Sequence, residues 1–268
     1  MKKSLISLLT IVLICGIATG CKDKAAVTQP VKGTFYELIG PDSVPQEVSL
    51  KLKNTQKAAS DDCYEAILGD KDSKVSVWGL MKCSDNQSSQ GYGVIVVKDG
   101  QETAFEIRHG NMPKAFYEEE TGQLWFSGAV IEGTGTLVER PYLMKFDENN
   151  RAEIVASIDP YDMQQELCKR LGYSIDGQDI TIYADGDSLV TITNHLENMG
   201  GFYDDALWIG EQIQYIVNKD LTVYFVPGIS FVVGKVLIYD DMVGIVAKVN
   251  LQPDGSFTLS DFQVLEEG

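Results

Sequence analysis

The chain has 268 residues, 44% hydrophobic and 23% charged, and a formal net charge of −17. These ordinary proportions exclude a disordered chain, and the excess of acids excludes a protein that holds nucleic acid by neutralising phosphates. After the N-terminal segment, no stretch reaches the roughly 18 apolar residues of a membrane-spanning helix, which excludes a multi-pass helical membrane protein.

The first 20 residues have the layout of a secretory signal peptide. Lys2 and Lys3 form a basic start, an apolar stretch runs from Leu5 to Ile14, and small residues follow it. The stretch is too short and wrongly flanked for a stable transmembrane helix, so we expect residues 1–20 to be removed on export. The remainder then carries a net charge of −19, because the signal contains two lysines and no acid.

A cysteine follows this segment directly. The tetrapeptide Ala18-Thr19-Gly20-Cys21 resembles the lipobox of bacterial lipoproteins, although Ala18 stands where that family usually has leucine. The resemblance implies diacylglycerol on the Cys21 sulfur, cleavage before Cys21 and acylation of the new N-terminus. Several acyl chains would anchor the protein, at ~0.8 kcal/mol per buried CH₂. The alternative is an ordinary signal peptide with a chance cysteine near its cleavage site.

The residue after Cys21 bears on location. It is Lys22, not the aspartate that retains lipoproteins in the inner membrane under the family's sorting rule, so the resemblance implies the outer membrane. The polar composition of the next residues predicts a lipidated tether over 21–32, followed by a single domain over 33–268.

Three cysteines remain in that domain: Cys63, Cys83 and Cys168. Cys63 and Cys83 are 20 residues apart and could bridge neighbouring strands, which would contribute ~3 kcal/mol in the chain-entropy model. The alternative is three buried reduced thiols. None belongs to a C-x-x-C pair, so zinc and redox motifs of that kind are absent from the sequence.

From Gly33 onward, apolar residues alternate with polar ones and turn residues recur every 20–30 residues, which predicts an antiparallel all-β domain. The predicted hairpins are 92–97 with 103–107, 115–117 with 124–126, 142–146 with 152–158, 180–183 with 189–193, and 243–251 with 257–259.

One segment predicts a helix, over about 160–171. Asp159 is a capping residue, Pro160 suits the first turn, and Gly172 is expected to follow the last turn. Apolar residues recur at helical spacing at Met163, Leu167 and Leu171. The segment 204–218 is ambiguous, and we interpret it as two short strands because Gly210 would interrupt a helix.

Two stretches, 116–128 and 142–150, resemble hairpins of β-propeller blades: an acid-rich turn leads into or follows a strand with aromatic residues. The phrases Tyr203-Asp204-Asp205-Ala206 and Tyr239-Asp240-Asp241-Met242 are 36 residues apart, and the domain's 236 residues divide into about five units of 47. The resemblance implies a propeller-like fold of about five blades. The spacings are irregular and no WD or kelch signature occurs, so a β-sandwich or two β-subdomains remain alternatives.

The sequence contains no recognisable catalytic motif, and we expect no cofactor. His109 and His195, its two histidines, are interpreted as separate surface or loop residues. The acid clusters are interpreted as solvated hairpin tips, with calcium as the alternative at 185–187 and 147–149. These acid clusters are Asp61-Asp62, Glu118-Glu119-Glu120, Asp204-Asp205 and Asp240-Asp241.

The function predicted from these features is a non-catalytic binding or scaffold module for a protein or glycan, held at the membrane by lipid on Cys21. Rings that stack on such a ligand would come from the 25 aromatic residues, including Trp78, Trp125 and Trp208, although most aromatics are expected in the core. One alternative is an envelope hydrolase that uses an Asp/Glu pair. Another is an acidic inhibitor that binds a basic enzyme.

Overall fold

The computed structural model describes residues 31–33, 36–37, 62–82, 91–110, 112–133, 136–177, 179–193, 199–200, 207–233, 236–241, 243–252 and 254–265. The predicted signal peptide, Cys21, Cys83, His195 and Asp204-Asp205 lie outside these residues. In chain order the elements are β1 (Val31–Gly33), β2 (Tyr36–Glu37), β3 (Asp62–Leu68), β4 (Val75–Lys82), β5 (Gly91–Lys98), β6 (Gln101–Phe105), β7 (Lys114–Glu118), β8 (Gln123–Gly133), β9 (Thr136–Phe146), β10 (Ala152–Ser157), α1 (Pro160–Arg170), β11 (Leu171–Asp176), β12 (Asp179–Ala184), β13 (Asp187–Thr193), β14 (Met199–Gly200), β15 (Leu207–Val217), β16 (Leu221–Val233), β17 (Val236–Asp241), β18 (Ile245–Leu251) and β19 (Phe257–Val264).

The described strands form three sheets. The N-terminal sheet has the order β3-β4-β5-β6, and the helix-linked sheet has the order β1-β11-β12-β13. The large sheet has eleven strands along the path β19-β18-β16-β15-β9-β8-β7, with β2, β10, β14 and β17 paired to its members, and it curls into a half-barrel. The all-β prediction is therefore confirmed. The pairing does not confirm a division into about five blades, and that division stays a prediction.

The predicted hairpins are all present. In the β5–β6 hairpin, Lys98 pairs with Gln101 and the two residues between them are Asp99 and Gly100. Both have positive φ, 47° and 78°, which is the backbone of a two-residue turn whose twist matches that of the strands.

The helix prediction is also confirmed. The Asp159 carboxylate accepts a hydrogen bond from the Tyr161 N–H at 2.9 Å, and Met163 and Leu167 are fully buried. Gly172 follows the C-cap residue Leu171 as expected, but it belongs to β11 and is not among the described glycines with positive φ, so it does not form a left-handed cap. The chain leaves the helix at Leu171, whose backbone is already extended and whose buried side chain belongs to β11. Among the described residues, no helix has the length and apolar character needed to cross a bilayer.

The interpretation of 204–218 as two short strands is wrong within the described part, where β15 is one strand of 11 residues. Its pairing with β16 shifts register between Trp208 and Gln212, and Gly210 lies in this bulge with φ of 148°. Gly210 therefore interrupts the ladder without ending the strand.

The β8–β9 hairpin separates two hydrophobic cores, since successive strand side chains point to opposite faces. Leu124 and Phe126 pack in the N-terminal core, under the N-terminal sheet, whereas Trp125 and Leu143 pack in the C-terminal core. The C-terminal core also receives α1, the helix-linked sheet and the C-terminal strands.

Candidate functional site

A groove opens on the N-terminal sheet, on the face turned away from the N-terminal core. Its volume is about 360 Å³, at the lower end of the range of small-molecule sites. The lining residues are Tyr64, Lys71, Ser76, Trp78, Ile95, Val97 and Glu102.

Strand alternation explains why these side chains share a face. Val77 of β4 points into the N-terminal core, so its neighbours Ser76 and Trp78 point outward. The register places Trp78 opposite Ile95 and Ser76 opposite Val97. The floor of the groove is therefore formed by laterally adjacent residues of β4 and β5.

The groove presents two aromatic rings. Tyr64 is 48% exposed, an unusual position for a large apolar ring, and Trp78 is half-buried. The Trp78 indole N–H donates to the Ser76 Oγ at 2.9 Å, which fixes the orientation of the indole. A fixed ring loses little conformational entropy when a ligand stacks on it.

Two charged residues complete the groove. Glu102 lies opposite Val97 on β6, and Lys71 lies in the turn between β3 and β4. Within that turn the Asp70 carboxylate accepts a hydrogen bond from Ser73 Oγ at 2.8 Å, which lowers the pKa of Asp70. The groove can therefore offer an ammonium donor, a carboxylate acceptor and two ring faces to one ligand.

The interpretation of His109 as a surface or loop residue is half wrong: the residue lies outside the strands but is fully buried. Its ring packs against Gly79 and Gly91, and its Cα and Cβ pack against Gly128; these three glycines form a glycine notch. A Cβ at Gly91 would lie 1.8 Å from His109 Cε1, and one at Gly79 would lie 2.9 Å from the same atom. The histidine thus occupies space on the core side of the N-terminal sheet that side chains would otherwise fill.

Hydrogen bonds define which ring nitrogen of His109 carries the proton. Nδ1 lies 3.0 Å from the Gly110 carbonyl oxygen, which only accepts, so Nδ1 is the donor. Nε2 has no hydrogen-bond partner among the described residues. Burial lowers the pKa of His109, and the imidazole is neutral at pH 7.

A buried carboxylate that the sequence analysis did not single out lies on β9. Glu139 accepts hydrogen bonds from Lys114 Nζ at 2.8 Å, from Ser127 Oγ at 3.0 Å and from the Tyr215 N–H at 2.8 Å. The last bond extends the parallel pairing of β9 with β15, which otherwise consists of two residue pairs. This arrangement is structural, since it satisfies the carboxylate inside the sheet. Burial, reinforced by the Glu139 charge, raises the pKa of Tyr215.

The predicted acid clusters are dispersed. Glu119 and Glu120 lie in the β7–β8 turn as expected, whereas Asp240 and Asp241 lie within β17, opposite Ile229 and Gly228, so their assignment to a turn is wrong. The ladder between β16 and β17 includes both aspartates, so their backbone belongs to the strand.

The two calcium candidates are part of ordinary turns. Asp147 accepts from the backbone of Asn149 and Arg151, and Asp185 pairs with Arg170. No group of three or more His, Cys, Asp or Glu side chains is placed to hold a metal in the described part of the chain.

The disulfide between Cys63 and Cys83 stays a prediction because Cys83 lies outside the described residues. The backbone of Cys63 in β3 is opposite Met81 of the neighbouring strand β4. Cys168 lies half-buried on α1 and packs against the C-terminal core.

The three tryptophans separate into two classes. Trp125 and Trp208 are 8% and 2% exposed, as expected of core residues, whereas Trp78 lines the groove. Alternation within β4 predicts that Trp78 lies on the other face of the strand from Val75 and Val77. Nothing in the sequence shows whether that outer face is simply solvated or forms a groove.

Comparison with known proteins assigns no family. No family model matches the chain, and no curated protein matches it. A solved structure described as a glycoside hydrolase is similar over 84% of this chain and 92% of its own, at 7% identity and a TM-score of 0.20. A likeness this low carries no argument about fold or function.

Proposed function

We propose that the chain is a lipid-anchored envelope protein that binds a glycan, without catalysis, in the groove of the N-terminal sheet. The observation that supports this proposal is the groove itself: the fixed indole of Trp78 and the exposed ring of Tyr64 line it beside Ile95 and Val97, with Lys71 and Glu102 also among the lining residues.

The chemistry of a sugar ring matches these groups. Its C–H face is apolar and packs on an aromatic ring, and its hydroxyls both donate and accept hydrogen bonds, which an ammonium and a carboxylate satisfy. A groove of about 360 Å³ suits a few sugar units. A protein partner would usually need about 800 Å² of surface on each side, so the size of the groove favours the glycan.

The hydrolase alternative requires two carboxyl groups about 5–10 Å apart across the substrate. Glu102 is the one carboxylate among the described lining residues of the groove. The inhibitor alternative rests on the net charge alone, and binding that strengthens steeply as salt is lowered would favour it.

Binding to oligosaccharides tests the groove. The probes are cello-, malto-, xylo- and chito-oligosaccharides of two to six units, titrated into the protein. We expect Trp78→Ala and Tyr64→Ala each to weaken binding about tenfold, which corresponds to ~1.4 kcal/mol of lost ring contact. Trp78→Phe keeps a ring and should retain part of the affinity, and Tyr161→Ala, a tyrosine of α1 outside the groove, should bind as wild type.

Two results would contradict the proposal. One is the absence of binding to every probe by a folded protein. The other is equal affinity of the wild type and Trp78→Ala. Release of new reducing ends from a probe would instead favour the hydrolase.

The anchor is tested separately. We expect radiolabelled palmitate to enter the wild-type protein in bacterial cells, and Cys21→Ser to block labelling and move the protein from the membrane fraction to the soluble fraction. Cys168→Ser serves as the matched control and should behave as wild type. A Cys21→Ser protein that still fractionates with membranes would remove the anchor from the proposal.

A further inference from the structure

His109 joins the sheet that carries the groove to the large sheet through its backbone. Its N–H donates to the Gly91 carbonyl of β5 at 3.2 Å, and its carbonyl accepts from the Ala129 N–H of β8 at 3.1 Å. An isolated bridge between Gly91 and Gly110 lies beside these bonds. One residue therefore hydrogen-bonds to both sheets.

The side chain of His109 is held in a buried site that opposes a second proton. With Nδ1 donating to the Gly110 carbonyl, a second proton would enter at Nε2, which is buried and has no hydrogen-bond partner in the described residues. The glycine notch leaves no room for the ring to shift toward Gly91. The Phe126 ring, edge-to-face with the imidazole at 6.3 Å, closes a further side.

The charged groups around His109 partly oppose this effect. Glu65 of β3 favours the protonated form, and Glu132 of β8 approaches Gly110. In the histidine's own segment, Glu106 and Arg108 are exposed to solvent. The segments of β4 and β5 at the notch present glycines instead of charged side chains. The Leu80 and Gly93 carbonyls also favour the protonated ring, yet burial outweighs all these contributions and lowers the pKa of His109.

We propose that His109 is an acid-sensitive pin, whose protonation loosens the N-terminal sheet from the large sheet and thereby weakens ligand binding in the groove. The connection to the groove is short, since Gly79 of the notch follows the groove residue Trp78 in β4. Gly91 of the notch begins β5, which supplies Ile95 and Val97 to the groove floor. The effect on the ligand rests on the proposed function, whereas the loosening of the sheet does not.

The direction of the pH effect follows from linkage. The histidine of the loosened state titrates near pH 6.5, and that of the closed state titrates lower. Below about pH 6.5 the loosened state binds more protons, so the closed state loses stability as the pH falls toward the lower, closed-state pKa. Each unit of difference between the two values corresponds to about a tenfold change in the opening equilibrium.

Hydrogen exchange on the full chain tests the pin without any ligand. Amide protection of β4 and β5 is compared with that of β15 and β16 at pH 7.5 and pH 5.0, after correction for the intrinsic pH dependence of exchange. We expect the protection of β4 and β5 to fall about tenfold or more relative to β15 and β16 in the wild type. His195→Asn is the matched control, and it should show the same fall because it retains His109.

The variant His109→Asn keeps a donor near the Nδ1 position and cannot be protonated, so the fall in protection should disappear. If it does not fold, His109→Phe supplies a ring that cannot be protonated. The imidazole resonance of His109, observed alone in His195→Asn, should titrate below pH 6.5. Titration at or above pH 6.5, unchanged protection in the wild type, or an equal fall in the non-titratable variant would each overturn the pin. If acid loosens β4 and β5 through His109 while no oligosaccharide binds, only the proposed function of the groove is refuted.

Discussion

The two cores on either side of the β8–β9 hairpin are stabilised in different ways. Among the described residues, the C-terminal core contains 23 buried hydrophobic residues and the N-terminal core ten, so the larger share of the described apolar burial lies on the C-terminal side. The C-terminal side is also cross-linked by charged side chains: Glu139 bonds β9 to β15, and Arg140 pairs with the helix cap Asp159.

The N-terminal side has fewer such links. Among the described residues, its backbone-to-backbone connection to the large sheet runs through His109 and the bridge between Gly91 and Gly110. Its side chains add Thr103 Oγ1, which accepts from the Ala152 N–H at 3.0 Å, and the Lys98 ammonium over the Phe146 ring. Regions with less apolar burial and fewer cross-links open at lower free energy than the rest of a protein. The comparison therefore indicates that the N-terminal sheet, which carries the groove, opens before the C-terminal side unfolds.

The largest expected effect is that of Glu139→Ala, which should destabilise the whole protein. The substitution leaves the Tyr215 N–H and the Ser127 hydroxyl buried without this acceptor and removes the ion-pair partner of Lys114. We expect the free energy of unfolding in urea to fall by about 3 kcal/mol.

Glu139→Gln is the matched control for this substitution. Its amide oxygen can still accept from the Tyr215 N–H, and Lys114 is 38% exposed and can be solvated. The loss should therefore be smaller than for Glu139→Ala. Equal stabilities of Glu139→Ala and the wild type would show that this cross-link does not distinguish the two sides.

A smaller and more local effect is expected from Gly91→Ala. The added Cβ would lie 1.8 Å from His109 Cε1, so β5 and the histidine must separate. Overpacking of this kind costs about 2 kcal/mol, and hydrogen exchange should show the loss in β4 and β5 more than in β15 and β16.

Gly133→Ala is the control for Gly91→Ala, since a Cβ there meets nothing within 4 Å. His109→Ala should partly rescue Gly91→Ala in a double-mutant cycle, because it removes the ring that the new methyl group strikes. A uniform loss of protection across both sides would contradict the local attachment of the N-terminal sheet.

The hairpins and the helix could be predicted from the sequence because their signals are local. Asp99-Gly100 supplies the two positive φ angles of its turn, and Asp159-Pro160 supplies a cap and a first helical residue. The pairing of hairpins into sheets is not local. Glu139 bonds to the backbone of Tyr215, 76 residues away, and no periodicity in either strand indicates that contact.

The groove illustrates the same limit. Alternation places Trp78 and Val77 on opposite faces of β4. Whether the outer face forms a groove depends on Tyr64 and Glu102, which come from other strands. The notch likewise required three glycines from distant positions to converge on His109. A lone histidine next to a glycine is ordinary in a loop, so the interpretation of His109 as a surface or loop residue followed the commoner case.

The smallest expected effect concerns acid sensitivity on the C-terminal side. Arg170 of α1 donates hydrogen bonds to both carboxylate oxygens of Asp185, and to the Leu259 carbonyl of β19 at 2.9 Å. The hydrogen bonds from Arg170 lower the pKa of Asp185. Because the folded value is depressed, the stabilisation is complete above the unfolded pKa and is lost as the pH falls below about 4.

Asp185 is 48% exposed, so solvent weakens the pair and Asp185→Asn should cost only about 0.5 kcal/mol at pH 7. Asparagine tolerates the positive φ of 54° at this position, which leaves the turn intact. Asp187→Asn, in the same hairpin, is the control. The difference in unfolding free energy between the two variants should shrink only as the pH falls below about 4, whereas the exchange of β4 and β5 already changes below pH 6.5. If the C-terminal side instead loses stability over the same range as the N-terminal sheet, the two sides do not respond to acid independently, and a shared titrating group must couple them.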